Sequence, residues 1–431
     1  MKAAPTFIDL FSGCGGLSLG LLSSGWRGLF AVERSPHAFS TYRHNLVDNK
    51  KFNFDWPSWL PCREVDVEVL IKKYSVNLKG LKGKVDLIAG GPPCQGFSPA
   101  GRRNPDDPRN KMAENYIKIV KIVKPKMLLL ENVRGFNIPF NGTSGNDESI
   151  PYSEVVKRRL EAVGYNVEYQ VVLSADWGVP QLRPRFILIA VRSDIGINWS
   201  PFITLKENRK DFLLKRGLNP NRPVTVKQAI DDLKVSNKEL IDCIDSDVKG
   251  FKQILYRSPK GGSRYIKLMR KGMKPDRMPN SLRIPKHRPE VIDRFSQILT
   301  ESPKGKSLSP EIRAKFKLKK HTITPLCPNK PAATITTLPD DILHYEEPRI
   351  PTVREMARLQ SFPDWFDFLG RYTTGGKFRR EMCPRYTQVG NAVPPLLGEA
   401  LGELMFSAMT STRVSRREGV QNSVSAKRFI G

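Results

Sequence analysis

Cys94 stands in the segment Gly90-Gly91-Pro92-Pro93-Cys94-Gln95-Gly96-Phe97-Ser98, directly after the apolar run Val85–Ala89. Two prolines fix the backbone ahead of the thiol, and glycines on both sides leave room for close approach. A thiolate adds readily to an electron-poor double bond, and a positive environment lowers the pKa of its thiol. An average intracellular cysteine is a buried small hydrophobe, but this placement at the carboxyl edge of a sheet reverses that expectation. Glu131 follows the run Lys126-Met-Leu-Leu-Leu130 and opens Glu131-Asn132-Val133. A carboxyl group at the end of a buried strand is costly unless paired or used, so Glu131 is either a hydrogen-bonded strand end or a working group beside Cys94. In Gln181-Leu182-Arg183-Pro184-Arg185 one arginine is expected to reach a site while the other packs onto phosphate or protein.

A second constellation lies at the start of the chain. Thr6–Phe11 runs into Ser12-Gly13-Cys14-Gly15-Gly16 and then into Leu17–Leu22 with helical spacing. A strand, a glycine-rich turn and a helix make a nucleotide-type corner, because glycines let backbone approach a ligand closely. Glu33 ends the second strand, where a carboxylate can accept hydrogen bonds from ribose hydroxyls. A NAD site, or a tight turn with no ligand, fits the same residues. Asp66 either meets an adenine amino group or caps a helix.

These residues need a sheet that brings strand ends together. Strands are expected at Thr6–Phe11, Gly28–Glu33, Val65–Val67, Val85–Gly90, Lys126–Glu131, Asn166–Ser174 and Arg185–Val191, with helical patterns at Asn115–Val123 and Tyr152–Val163. Such alternation implies a mainly parallel sheet with helices on both faces. From about Asp194 the pattern breaks, and a Pro-, Gly- and Lys-rich segment follows, read as a second, smaller, irregular domain. Helical spacing returns at Thr352–Gln360 and Leu396–Met405. The reading divides the chain into 1–194 (catalytic), 195–340 (second domain), 341–410 (return to the first) and 411–431, a flexible basic tail.

Charge names the class of partner. The chain holds 71 Lys+Arg against 43 Asp+Glu, a net charge of +28. Residues 251–330 contain 21 basic and 5 acidic residues, a net +16 in 80 positions. That is either a solvated insertion or a surface that neutralises backbone phosphates, with nucleic acid the first candidate and an anionic membrane surface the second. No apolar run reaches the roughly 18–20 residues of a membrane span. Six scattered cysteines without a C-x-x-C pair, and five dispersed histidines, argue against a disulfide scaffold and a structural zinc site.

Taken in order, F-x-G-x-G-G from Phe11, Pro92-Pro93-Cys94-Gln95, Glu131-Asn132-Val133, Q-x-R-x-R from Gln181, Thr352-Val-Arg-Glu-Met-Ala-Arg-Leu-Gln-Ser-Phe-Pro363 and Gln388-Val-Gly-Asn-Ala-Val-Pro-Pro395 resemble the DNA (cytosine-5)-methyltransferases of bacterial or phage type. The resemblance spans about residues 5–405 in the family's order, and 195–340 falls where that family carries its target recognition domain. Pro331-Ala-Ala-Thr-Ile-Thr336 resembles the return to the family's core. The resemblance implies an α/β, doubly wound, mainly parallel class I S-adenosylmethionine-dependent methyltransferase fold with a second, smaller irregular basic domain. It makes Cys94 the nucleophile, Glu131 the group on cytosine N3, and Arg183 with Arg185 the support for a flipped base and the active-site loop. S-adenosylmethionine would meet Phe11, Ser12, Gly13, Gly15 and Gly16, with Glu33 on its ribose and Asp66 on its adenine amino group. Pro93, Asn391 and Val393 would complete that pocket. DNA would meet Gln95, Ser98 and the mobile arm carrying Arg102, Arg103 and Arg109, and Arg257, Lys260 and Arg264 of the basic segment.

The implied reaction is methylation of carbon 5 of a cytosine flipped out of a specific duplex sequence, through a covalent bond from Cys94 to C6 and without a metal. The runner-up is the same chemistry on transfer RNA, which would not obviously need so large a basic domain. A NAD-dependent oxidoreductase leaves the Pro-Pro-Cys loop without a role, and a non-catalytic DNA-binding relative is disfavoured by the intact set. Double-stranded DNA is the expected partner of a monomer, with no membrane association, and a cognate restriction endonuclease would be a genetic rather than physical partner. So little chain precedes the first strand that large N-terminal regulatory modules are not expected, and the expected location is the bacterial cytoplasm.

Overall fold

Alternating apolar residues build a sheet that is covered on both faces. The computed structural model of the chain describes residues 4–93, 111–139, 150–197, 199–318, 320, 322–373 and 382–426, with the side chains of 411–426 excepted. Strands β1 (Thr6–Leu10), β2 (Arg27–Val32), β3 (Leu87–Gly90), β4 (Met127–Val133), β5 (Tyr165–Leu173) and β6 (Pro184–Arg192) form one sheet in the order β2-β1-β3-β4-β6-β5. Ile8, Ile88, Leu128 and Leu130 pack on one face with Tyr116, Ile119 and Val120 of the Lys111–Val123 helix. Phe7, Leu87, Ala89, Met127 and Leu129 pack on the other, in the core that also takes Leu17 and Leu21 and, from the far end of the chain, Leu397 and Leu401. Apolar side chains on both faces are the mark of interior parallel strands.

Direction within the sheet decides which ends meet. β1 pairs in parallel with β2 and β3, and β3 with β4. The chain winds outward from β1 in one direction and from β3 in the other, so a crevice opens beyond the carboxyl ends of these two neighbours. β6 is antiparallel to both β4 and β5. Its first residues therefore lie at the same edge as the last residues of β4, with Arg185 opposite Val133.

Three expectations change. The strand expected at Val65–Val67 is absent, since Asp66 accepts a hydrogen bond from the Glu68 N–H at 2.8 Å and starts the Val67–Lys73 helix. That local cap satisfies backbone which β2, an edge strand, leaves unpaired. The last helix runs from Pro395 to Ala426, well beyond the helical pattern expected at Leu396–Met405. The second segment is also less separate than its composition implies. Leu205, Phe212, Val226, Ile230, Tyr265 and Met269 join the central core, while Leu233, Ile254, Tyr256 and Leu282, and then Phe295, Ile298, Leu308 and Phe316, form two small cores of their own. Short apolar patches without a period escape a window-based reading, yet each finds a partner in three dimensions. No helix among the described residues is long and apolar enough to cross a membrane.

Candidate active site

The glycine turn after β1 is held in a conformation few residues adopt. Phe11 has φ 61°, a region costly for a residue with a β-carbon, and Gly13 and Gly15 have φ 56° and 98°. A β-carbon on Gly16 would fall 2.1 Å from the Val393 carbonyl oxygen, so only glycine admits the late segment against the turn. The Cys14 thiol donates to the Gln388 carbonyl at 3.6 Å and makes a second tie between the two ends of the chain. Burial above all raises the Cys14 pKa far beyond the ordinary thiol range, so this cysteine stays protonated and serves as architecture. Beneath the turn, burial pushes the Asp9 carboxyl up to about 7, against the hydrogen bond it accepts from Ser18 Oγ at 2.6 Å.

Glu33 faces this turn. Its two carboxylate oxygens accept from the Gly13 N–H at 3.0 Å and the Ser35 N–H at 2.8 Å, and burial raises its pKa. Ser12 Oγ is buried without a hydrogen-bond partner among the described residues, which suits a corner completed by a polar ligand. Asp66 lies next to Val65, whose N–H donates to the Glu33 carbonyl at 2.8 Å. One oxygen of Asp66 is taken by the helix cap, and the other can still meet an amino group. Val393 is buried against Gly16 while Asn391 is exposed.

One strand along, β3 leads into Gly91-Pro92-Pro93. Asn132 Nδ2 donates to the Pro92 carbonyl at 3.2 Å, so Pro92, two residues before Cys94, is anchored to β4 one residue from Glu131. Glu131 is 9% exposed, and its Oε1 pairs with Arg185 Nε at 2.6 Å. A β-carbon on Gly91 would lie 3.1 Å from Glu131 Oε2, so the bare glycine leaves that oxygen room. Neither Asn132 nor Gly91 stands out in the sequence as more than a motif neighbour, because no local pattern signals that one amide will hold another loop. Cys94, Gln95, Ser98, Arg102, Arg103 and Arg109 lie outside the described residues.

The two arginines of the Q-x-R-x-R segment part company. Arg183, read as catalytic from the sequence, is 2% exposed, and its guanidinium donates to the Ile335 carbonyl at 2.7 Å and the Gly390 carbonyl at 2.8 Å. Through these bonds it fastens the late segment to the sheet. Alternation along a strand does not separate residues two apart; Arg183 lies just before β6, where the late segment reaches it, and Arg185 lies within β6. Gln181 completes the joint, donating to Gln360 Oε1 at 2.9 Å and accepting from the Ile335 N–H at 2.8 Å.

The basic segment divides as well. Arg257, Lys260 and Arg264 are exposed and make no ion pair among the described residues. Arg270 is buried against Asp364 at 3.2 Å, and Arg277 meets Asp367 at 3.4 Å. Lys315 pairs with Glu301, and Lys320 with Asp340 and Asp341. Part of the +16 is thus consumed in folding this region onto the rest.

A sequence model of C-5 cytosine-specific DNA methylases matches residues 5–407. The chain is 31% identical over 415 residues to the type II methyltransferase M1.HphI of Haemophilus parahaemolyticus, covering 94% of this chain and 88% of that relative. It is 30% identical over 434 residues to the type II methyltransferase M.DdeI of Desulfomicrobium norvegicum, covering 96% and 93%. A crystal structure from E. coli, of a prophage-encoded protein assigned as a DNA modification methyltransferase, superposes with a TM-score of 0.62 at 24% identity over 94% of this chain and 100% of that one. At that identity the superposition speaks for the fold.

Proposed function

Because the chain belongs to the C-5 cytosine-specific DNA methylase family, we propose that this DNA (cytosine-5)-methyltransferase acts on a cytosine turned out of a specific duplex sequence, through a covalent bond from Cys94 to C6. The sheet is that of a class I methyltransferase, and the family implies S-adenosylmethionine as methyl donor. The observation that supports the reading is the hydrogen bond from Asn132 to Pro92: it holds the segment leading to Cys94 beside the strand that carries Glu131, one strand away from the glycine corner.

Cytosine C5 is too weak a nucleophile to take a methyl group unaided. The Cys94 thiolate adds to C6, Glu131 stabilises a proton at N3, and the electron pair displaced from the C5–C6 bond collects at C5. The corner of Phe11, Ser12, Gly13, Gly15, Gly16 and Glu33, with Asp66, Pro93, Asn391 and Val393 around it, would hold S-adenosylmethionine, whose positive sulfur would give up its methyl group to that carbon and leave as a neutral thioether. Loss of the C5 proton returns an electron pair to the ring and expels the Cys94 thiolate. Arg185 holds the Glu131 carboxylate in place by its Nε, at 2.6 Å. C6 is out of reach in a stacked duplex, so the base leaves the helix at a cost of a few kcal/mol, offset by phosphate contacts from Arg257, Lys260 and Arg264 and from the arm with Arg102, Arg103 and Arg109.

The named relatives are type II DNA methyltransferases, which does not favour the transfer-RNA alternative. A paired restriction endonuclease belongs to the same reading. Cys94→Ser is expected to lower tritiated-methyl incorporation into duplex DNA by about a thousandfold or more with S-adenosylmethionine still bound; turnover at the wild-type rate would overturn the assignment. Bisulfite sequencing of DNA from cells expressing the protein reads the modified base and its sequence context together.

A further inference from the structure

We infer that Arg385 is a positioning residue for the methyl-donor corner, and that Asp245, from the lobe outside the sheet, holds it in position. The inference rests on the reading of the glycine turn as the S-adenosylmethionine site.

Asp245 and Arg385 are 140 positions apart and meet at 2.5 Å, from Arg385 Nη1 to Asp245 Oδ2. The contact is multiple. Arg385 Nη2 donates to the Asp245 carbonyl at 3.0 Å, Nη1 to Ser281 Oγ at 3.1 Å, and Nε to the Gly370 carbonyl at 2.9 Å. The Asp245 carboxylate also accepts from the Tyr372 hydroxyl at 2.6 Å and from the Ser281 N–H at 2.8 Å. Tyr372 is clasped between two guanidinium groups, Arg385 at 4.2 Å and Arg283 at 4.0 Å from its ring centre, and Arg283 lies over Phe251 at 4.1 Å. Ser281, Arg283 and Phe251 belong to the lobe whose small core is Leu233, Ile254, Tyr256 and Leu282. A planar fork with all three of its nitrogens engaged has its orientation fixed, as a lysine's single ammonium would not be.

What Arg385 orients is the helix Arg385–Asn391 that it begins. The Gln388 carbonyl of that helix accepts from the Cys14 thiol at 3.6 Å, the Gly390 carbonyl accepts from Arg183 at 2.8 Å, and the chain leaving it sets the Val393 carbonyl against Gly16. The tolerance there is small, because a β-carbon at Gly16 would fall 2.1 Å from that carbonyl and one at Gly390 would fall 2.2 Å from the Thr336 carbonyl. A rotation of the helix therefore moves Val393 and the turn together. The lobe thus reaches the donor corner through Asp245, seconded by Ser281, and loss of the aspartate loosens the donor site without touching a reacting group.

The test is calorimetric titration of S-adenosylmethionine into the full chain without DNA. Asp245→Ala and Arg385→Ala are each expected to weaken binding about tenfold, with the double variant no weaker than either single one, and kcat at saturating donor is expected to stay within about twofold. Tyr372→Phe removes only the hydroxyl on Asp245 and keeps the ring, so it preserves the packing that folding needs, and it is expected to weaken binding about threefold. Unaltered donor affinity in Tyr372→Phe and in the folded Asp245 or Arg385 variants overturns the inference, as do losses that simply add in the double variant. A wild-type chain that binds no S-adenosylmethionine would instead bring down the reading of the corner itself.

Discussion

Two buried ion pairs in this molecule look alike in sequence and behave as opposites. Glu131–Arg185 stands at the mouth of the sheet with one carboxylate oxygen paired and the other facing Gly91. Arg358–Asp364 lies under the lobe with nothing left over. Arg358 is fully buried and bonds both oxygens of Asp364, at 2.5 and 2.7 Å, both oxygens of Asp232, at 3.1 and 3.2 Å, and the Ala229 carbonyl at 2.9 Å. Nearby, Arg349 forks between Glu347 and Glu355, while Glu355 closes a capping box with Thr352. His344, Glu347 and Glu355 present donor atoms within 4.8 Å of one another, but the Arg349 guanidinium already satisfies both glutamates. A saturated network specifies how the lobe docks; an unsaturated pair leaves a group free to meet substrate.

The comparison is sharpest in Glu131→Gln. The rate is expected to fall about a hundredfold or more, with only a modest loss of melting temperature. A drop in duplex affinity parallel to the rate would mean that Glu131 is architectural after all. Asp364→Asn should do the reverse. Breaking a buried pair costs about 3–5 kcal/mol, so the melting temperature should fall by many degrees while kcat at low temperature persists. An Asp364→Asn protein of wild-type stability and lost activity would erase the distinction.

The network should also respond to acid. Burial holds the His344 imidazole down to about 4, against the pull of Glu355. The unfolded chain takes up that proton first, so the stability tied to a neutral His344 is present above pH ~6.5 and is lost as pH falls to about 4, a swing of about 3 kcal/mol. Asp9, pushed up to about 7, acts in the opposite sense, since its folded form protonates first as pH falls. The readout is therefore a difference. His344→Asn keeps an acceptor for the Glu346 and Glu347 N–H groups that Nδ1 now serves, and its melting-temperature gap to wild type should narrow between pH 7 and pH 4.5. A gap that does not change with pH would mean that His344 contributes nothing to the acid response.

The smallest effect concerns the exposed cations. Replacing Arg257, Lys260 and Arg264 by alanine is expected to flatten the salt dependence of duplex binding by about 0.9 in log K per log salt for each phosphate left unneutralised. Replacing Arg277, which already meets Asp367, should leave the slope unchanged. Equal slopes for both sets would mean that exposure and pairing do not sort the charge of this region.

Much of the sheet was legible because its signal is local. Val85–Ala89 and Met127–Leu130 are apolar on both faces, and the glycines after Phe11 announce a turn whatever lies around them. Asp66 was left open between ligand and cap, and the cap is formed. The strand at Val65–Val67 failed because Asp66 caps the Val67–Lys73 helix, and only the Val65 N–H pairs with the Glu33 carbonyl. Arg183 and Arg185 were indistinguishable in sequence, and only the arrival of Ile335 and Gly390, 152 and 207 positions away, tied one to the late segment while the other pairs with Glu131.

The sequence by itself determined the chemistry available: a cysteine on a rigid loop, a glutamate at a strand end, a glycine corner and an excess of positive charge, each set by residue type and short spacing. Tertiary structure decided which of those groups are free to act. Freedom depends on partners, and partners such as Asn132 for Pro92, Val393 for Gly16 or Asp245 for Arg385 are chosen by packing over distances that no local pattern encodes.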